Sequence, residues 1–210
     1  MSSSPFRSLV TSEQLLRDLI GFPGPIAVAK EVRRLDAACR AFIAQSPYVL
    51  IGTSAGDGRC DVSPKGDSAG FVKVLDDRHL VMPDRPGNNR LDGMRNLLTN
   101  PHVGLLFLVP GQRQTLRVNG RACLTRDEEM LDRLSMFGKR PKIAIGVEVD
   151  EVFMHCGKAS MRSRLWEPQH WPGGDSVPSA ACMLLEHARP ENMTLADMEA
   201  RVEDEKNRLY

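Results

Sequence analysis

Tyr48-Val49-Leu50-Ile51-Gly52-Thr53, a turn around Gly56-Asp57-Gly58, and then Arg59 to Ser63 form the stretch whose reading decides the fold. A β-branched and aliphatic run, a Gly-Asp-Gly reversal and a second extended run read as a β-hairpin. Downstream, further strands are expected at Phe71 to Leu75, Leu80 to Pro83, Val103 to Val109, Thr115 to Leu124 and Ile143 to Phe153, with turns at Asp76-Asp77 and Pro110-Gly111. Two helices interrupt them. One spans Asn89 to Asn100; the other runs from Arg126 to Gly138, with Asp127, Glu128 and Glu129 favourably placed in its first turn. Six or seven strands joined mostly by tight turns predict an antiparallel sheet closed into a small barrel rather than a doubly wound parallel sheet. The fold class is mainly β with flanking helices (α+β).

Upstream of the hairpin, Val32, Leu35, Ala38, Cys39, Phe42 and Ile43 recur at helical spacing, and Ser46-Pro47 ends that helix because proline disfavours helical geometry in its predecessor. An earlier helix covers Ser12 to Ile20. The tail reads as loop at Trp166-Glu167-Pro168 and Trp171-Pro172-Gly173-Gly174, followed by an amphipathic helix from Leu195 to Leu209. The expected division is an N-terminal helical extension (1–47), a barrel (48–166), and a C-terminal loop and helix packing on the barrel (167–210).

A chain of 210 residues, 41% apolar and 26% charged, suffices for one sizeable core. The net charge of +1 gives no bulk electrostatic reason to expect nucleic acid or an acidic membrane as partner, so anion binding must come from placed residues. No apolar run approaches the ~20 residues of a membrane span, and the N-terminus lacks a basic region followed by an apolar core, so a cytoplasmic protein is expected. Five cysteines are widely spaced with no Cys-x-x-Cys pair, and five histidines show no metal-ligand spacing. Reduced thiols and no metal follow.

Two strings carry the chemistry. Asp61-Val62-Ser63-Pro64-Lys65-Gly66-Asp67 ends a strand in a hydroxyl, an ammonium and backbone N–H groups, donors suited to the polar edge of a ring. Pro83-Asp84-Arg85-Pro86-Gly87-Asn88-Asn89-Arg90 leads into a helical segment, which would place amide and guanidinium donors beside unsatisfied N–H groups, an anion site with Arg85 and Arg95 adding charge. One loop for a phosphate and another for a ring edge is what a mononucleotide such as FMN needs. Read alone, each string also fits an ordinary turn or N-cap. Thr115 and Arg117 share one face of a strand and reach a ligand if that face turns toward these loops. Lys158, Arg164 and Trp166 gather cations beside an aromatic, and one ring in a neutral protein does not make an RNA surface.

These strings occur in order with Asn100-Pro101-His102-Val103-Gly104-Leu105-Leu106-Phe107, Leu116-Arg117-Val118-Asn119-Gly120-Arg121-Ala122 and His155-Cys156-Gly157-Lys158-Ala159. The set resembles the pyridoxamine 5'-phosphate oxidase-like FMN-binding split-barrel family over Tyr48 to Trp166. The resemblance implies a six-stranded split barrel, a homodimer with FMN in clefts at the subunit interface, and flavin-dependent redox chemistry on a small-molecule substrate. It assigns Val62, Ser63, Pro64 and Lys65 to the flavin ring and Asn88, Asn89 and Arg90 to the phosphate. Thr115 and Arg117 fall on a strand approaching the ring, and Lys158 to Arg164 on the segment that closes the site. Where the vitamin B6 oxidases proper carry Arg-x-Val-Leu-Leu-Lys, this chain has Asp61-Val62-Ser63-Pro64-Lys65-Gly66, and their C-terminal Arg-x-His motif is absent; the resemblance is to another branch. The expected function is an FMN-dependent oxidoreductase with no catalytic side chain demanded. The alternatives are a non-enzymatic flavin- or haem-binding module and a deazaflavin-dependent reductase on the same barrel.

Overall fold

The computed structural model describes residues 5–210. Its elements, in chain order, are α1 (Glu13–Ile20), α2 (Pro25–Ala29), α3 (Ala37–Gln45), β1 (Tyr48–Ser54), β2 (Cys60–Gly66), β3 (Lys73–Val74), β4 (His79–Pro83), α4 (Asp92–Leu97), β5 (His102–Leu108), β6 (Thr115–Thr125), α5 (Glu128–Arg133), β7 (Ala144–His155), α6 (Lys158–Arg162), α7 (Ala180–Ala188) and α8 (Leu195–Glu205). All pairings are antiparallel, in the order β2-β1-β5-β6-β7-β4-β3. Among the described residues there are seven strands, one more than the resemblance implies, and β3 has only two residues.

Alternation builds the core. In β1 the buried residues are Val49, Ile51 and Thr53; facing them in register are Val103, Leu105 and Phe107 of β5, and then Leu116 and Val118 of β6. Leu35, Cys39 and Ile43 pack into the same cluster, so α3 closes one end of the barrel. Burial pushes the Cys39 thiol up to about 11, with a hydrogen bond from the thiol to the Asp36 carboxylate adding to the effect. All five cysteines are free.

Several elements are shorter than their sequence patterns suggest. The helix expected from Val32 starts at Ala37, because the Asp36 carboxylate caps it by accepting from Cys39 N–H, while Val32 pairs with Val152 as an isolated bridge. Phe71 and Val72 are core residues in an irregular segment, so their apolar run marks burial rather than an extended strand. The segment 89–100 is helical only at Asp92–Leu97, and 126–138 only at Glu128–Arg133. Short helices at Pro25–Ala29, Lys158–Arg162 and Ala180–Ala188 carried no clear periodic signal. No helix among the described residues is long and apolar enough to cross a membrane.

The long β6–β7 pair changes register between Asn119 and Gly120, where the strands approach so closely that a Cβ on Gly120 would lie 2.0 Å from the Glu148 carbonyl oxygen. Gly120→Ala is expected to destabilise the protein by about 3 kcal/mol in urea titration, since the obstructing atom is backbone and cannot rotate away.

Candidate functional site

Between β2 and β4 the sheet is not joined by backbone hydrogen bonds; side chains bridge the gap. Lys65 Nζ lies 2.6 Å from Asp84 Oδ1, and Arg85 Nε lies 2.6 Å from Asp67 Oδ2. The Asp67 side chain is fully buried. Besides Arg85, its carboxylate accepts from Ser68 N–H (2.7 Å) and from the Tyr210 hydroxyl (2.6 Å). Burial alone would raise the Asp67 pKa; the hydrogen bonds from Tyr210, Ser68 and Arg85 outweigh it and hold the carboxyl below its ordinary range. Arg85 also donates to the Leu134 carbonyl at 2.9 Å and lies under the Tyr210 ring, 5.6 Å from its centroid.

Along this seam lies a cleft of about 190 Å³ whose walls include Ser63, Lys65, Arg85, Asn88, Asn89 and Arg90, with Ile51 and Ile145 at its apolar side. Strand alternation explains who enters it. Ser63 pairs with Ile51 and Lys65 with Val49, so both project to the inner face, whereas Val62 and Pro64 project outward. Val62 is 70% exposed, and Pro64 borders a neighbouring hollow with Arg85, Pro86 and Gly87.

The second string differs from its expected form. Helix α4 has only six residues, its N-cap is Leu91, and no side chain caps it, so Asn88, Asn89 and Arg90 stand outside the helix rather than at its first turn. They form a reversal instead. Asn89 (φ 57°) and Leu91 (φ 62°) are left-handed, and Asn88 Oδ1 accepts from Arg90 N–H at 3.1 Å. Asparagine tolerates this conformation through local hydrogen bonding, but at Leu91 it costs roughly 1 to 2 kcal/mol. Asn96 pins α4 beneath the turn: its amide donates to Thr53 Oγ1 (3.1 Å) and Asp61 Oδ2 (2.6 Å), tying the helix to both β1 and β2. Arg90 is 72% exposed and its Nε donates to Asp92 at 2.7 Å, leaving its terminal nitrogens for a ligand. Arg95 faces a separate, wider hollow with Arg59 and Cys60.

The remaining expected residues lie elsewhere. In β6 the inner face belongs to Leu116 and Val118, so Thr115 and Arg117 point away from the cleft of their own chain. Arg117 donates to Glu151 at 3.0 Å and stacks over Phe153, 4.1 Å from the ring centroid. Lys158 opens α6, and Arg164 is left-handed and contacts His170. Trp166 donates to the Gln112 carbonyl at 2.7 Å, beside the turn before β6. Sequence reading missed the partners of the cleft's cations. Asp84, Asp67 and Asp92 each neutralise one of them, and only the folded seam brings Asp67 to Arg85 and Asp84 to Lys65. Tyr210, 143 positions from Asp67, left no signal at all.

A family model described as pyridoxamine 5'-phosphate oxidase matches residues 35–156, more than half of the chain. No curated protein matches it. Among solved structures, the chain is similar to HupZ from Group A Streptococcus (15% identity over 57% of this chain and 92% of that one, TM-score 0.46). It is also similar to HutZ, the heme storage protein from Vibrio cholerae (15%, 59% and 94%, TM-score 0.41), and to General Stress Protein 26 from Bacillus anthracis (16%, 55% and 89%, TM-score 0.38).

The seam makes a pH-dependent prediction. Because the folded pKa of Asp67 is depressed, its contribution is fully present above the ordinary carboxylate value of 3.8 and is lost as pH falls through the lower folded value. Asp67→Asn, which leaves Arg85 without its buried partner, is expected to cost about 3 kcal/mol at pH 7. The gap between wild type and variant should narrow in denaturant titrations carried progressively below pH 4.

Proposed function

The chain belongs to the pyridoxamine 5'-phosphate oxidase family, and from that premise we propose that it is an FMN-dependent oxidoreductase acting on a small molecule, with the cofactor held between two copies of the chain. The observation that carries this reading is the convergence of two separate strings on one cleft: Ser63 and Lys65 from β2, Asn88, Asn89 and Arg90 from a strained turn. Strain kept at a site rich in hydrogen-bond donors favours a binding role for the turn.

The residues suit the group. Lys65 spends one of its three donors on Asp84, leaving two for the polar edge of a flavin ring, and Ser63 adds a hydroxyl. Asn88, Asn89 and the outer nitrogens of Arg90 offer donors to a phosphate. Bound FMN would supply the redox chemistry, accepting and donating electrons through its ring. The chain's own work is to bind and orient that ring; the Lys65 ammonium favours its anionic reduced state, and Ile51 and Ile145 keep one side of the cleft apolar.

A cleft of about 190 Å³ is smaller than the roughly 300 Å³ at which small-molecule pockets begin, which supports a site completed by a second subunit. We assign Thr115 and Arg117, which face away from their own cleft, and Lys158 and Arg164, which do not line it, to the cleft of the partner. Residues 48–166 are the proposed cofactor-binding barrel, with 1–47 as N-terminal extension and 167–210 as a segment packed against it. Free cysteines support a reducing, cytoplasmic setting. The lining favours flavin over haem: Met94 is its one side chain of a type that commonly ligates haem iron.

Purified protein should show the two visible bands of oxidised flavin; a haem or deazaflavin spectrum would replace FMN in this reading. Arg90→Ala is expected to fold normally, since the side chain is exposed, and to bind flavin about tenfold more weakly, measured as flavin released per chain. Unchanged flavin content would remove Arg90 from the site. Rapid reduction by NADH or NADPH in stopped flow supports an enzyme, whereas no turnover with any donor leaves a binding module.

A further inference from the structure

The chain between Leu9 and Val28 is built like a core and placed like a surface. Leu9, Leu16, Leu19, Ile20, Phe22 and Ile26 are 47% to 85% exposed, and neither α1 nor α2 buries a single residue. On the polar side of α1, Gln14 donates to Asp18 at 2.8 Å and Arg17 lies 3.5 Å from Glu13. Its apolar side, Leu15, Leu16, Leu19 and Ile20, meets nothing that buries it. An eight-residue helix is too short to persist on its own propensity and needs a packed face.

We propose that this segment is an arm that packs on a second copy of the chain. Three observations select that occupant. The six side chains expose on the order of 700 Å² of apolar surface, more than the few hundred Å² a monomer normally leaves in one patch and close to the ~800 Å² per partner of a standard interface. The polar face of α1 carries Glu13, Gln14, Arg17 and Asp18, a set with more acid than base that lacks the Lys and Arg excess of a membrane-surface helix, so a protein face suits it better than a lipid one. The arm is also tethered where the proposed subunit contact lies. Val32 exchanges backbone hydrogen bonds with Val152 (3.0 and 2.7 Å), and Lys30 donates to the Met154 carbonyl at 2.8 Å while lying over Phe153. Phe153 stacks on Arg117, so the arm leaves the barrel beside residues assigned to the partner's cleft. Met154, Met161, Leu165 and Trp171, each 43% to 55% exposed, are the apolar side chains that receive the arm of the other copy.

This inference rests on the reading of a site shared between two copies, and the test separates the two. Sedimentation velocity on the full chain over a range of concentrations reports self-association, and hydrogen exchange in the same samples reports protection of the α1 amides. The expected result is a dimer whose α1 amides gain at least tenfold protection with concentration, and a Leu16→Ser/Leu19→Ser/Ile20→Ser variant whose dimer dissociation constant rises at least tenfold with an unchanged far-UV spectrum at low concentration. A dimer equally tight in the variant, with α1 exchanging freely, overturns the arm and leaves the shared site intact. A monomer at every concentration overturns both. Protection of α1 that appears only on added phosphatidylcholine–phosphatidylserine vesicles overturns the arm in favour of a lipid surface.

Discussion

Everything at the cleft depends on the buried contact between Asp67 and Arg85. The sheet runs continuously by backbone hydrogen bonds from β2 through β1, β5, β6 and β7 to β4, but it does not return from β4 to β2. Two carboxylate–cation pairs cross that gap. An ion pair at such a place does what a strand could not: it closes the barrel while leaving donors and apolar wall exposed to a ligand. The arrangement carries a cost, because both partners of the inner pair give up water, and the cost is offset only by filling the carboxylate's other lone pairs. Ser68 N–H and the Tyr210 hydroxyl fill them. The Leu134 carbonyl meanwhile occupies part of the guanidinium of Arg85, which borders the cleft. Lys65, with a single carboxylate partner, retains donors.

The sheet was legible because its cause is local. A period of two along β1, β5 and β6, broken by Gly- and Pro-rich turns, places Val49, Ile51, Val103, Leu105, Leu116 and Val118 on one face with no help from distant residues. Helix lengths were less legible, since Leu97 in α4 and Leu131 in α5 are apolar to fill a niche rather than to sustain a periodic face. Phe71 and Val72 mislead in the same way: hydrophobicity reports burial, and only pairing makes a strand.

At the site, the identity of the donors could be read and their setting could not. Ser63, Lys65, Asn88, Asn89 and Arg90 meet in one cleft, as two strings of that chemistry suggest. The orientation of Thr115 and Arg117 depended on which face of β6 turns inward, a question the alternation poses without answering; Leu116 and Val118 answer it. The left-handed backbone at Leu91 was hidden because nothing in a Leu codes for it.

The same seam has a bearing on the order in which the molecule assembles. The β1–β2, β5–β6 and β6–β7 pairs join neighbours in the chain, so their loops close at little entropic expense. The pairs that curl the sheet are remote, with Tyr48 opposite Leu108 and Pro83 opposite Ala144, and the contact of Asp67 with Tyr210 is more remote still. By contact order, the hairpins and the seam's own pairs, 19 and 18 residues apart, precede the curl, and the reach of Tyr210 to Asp67 comes after it. The last support to reach the seam is thus the Tyr210 hydroxyl on Asp67: a chain with its sheet formed would still lack it, and a ligand that binds the finished cleft would favour molecules whose C-terminus has docked.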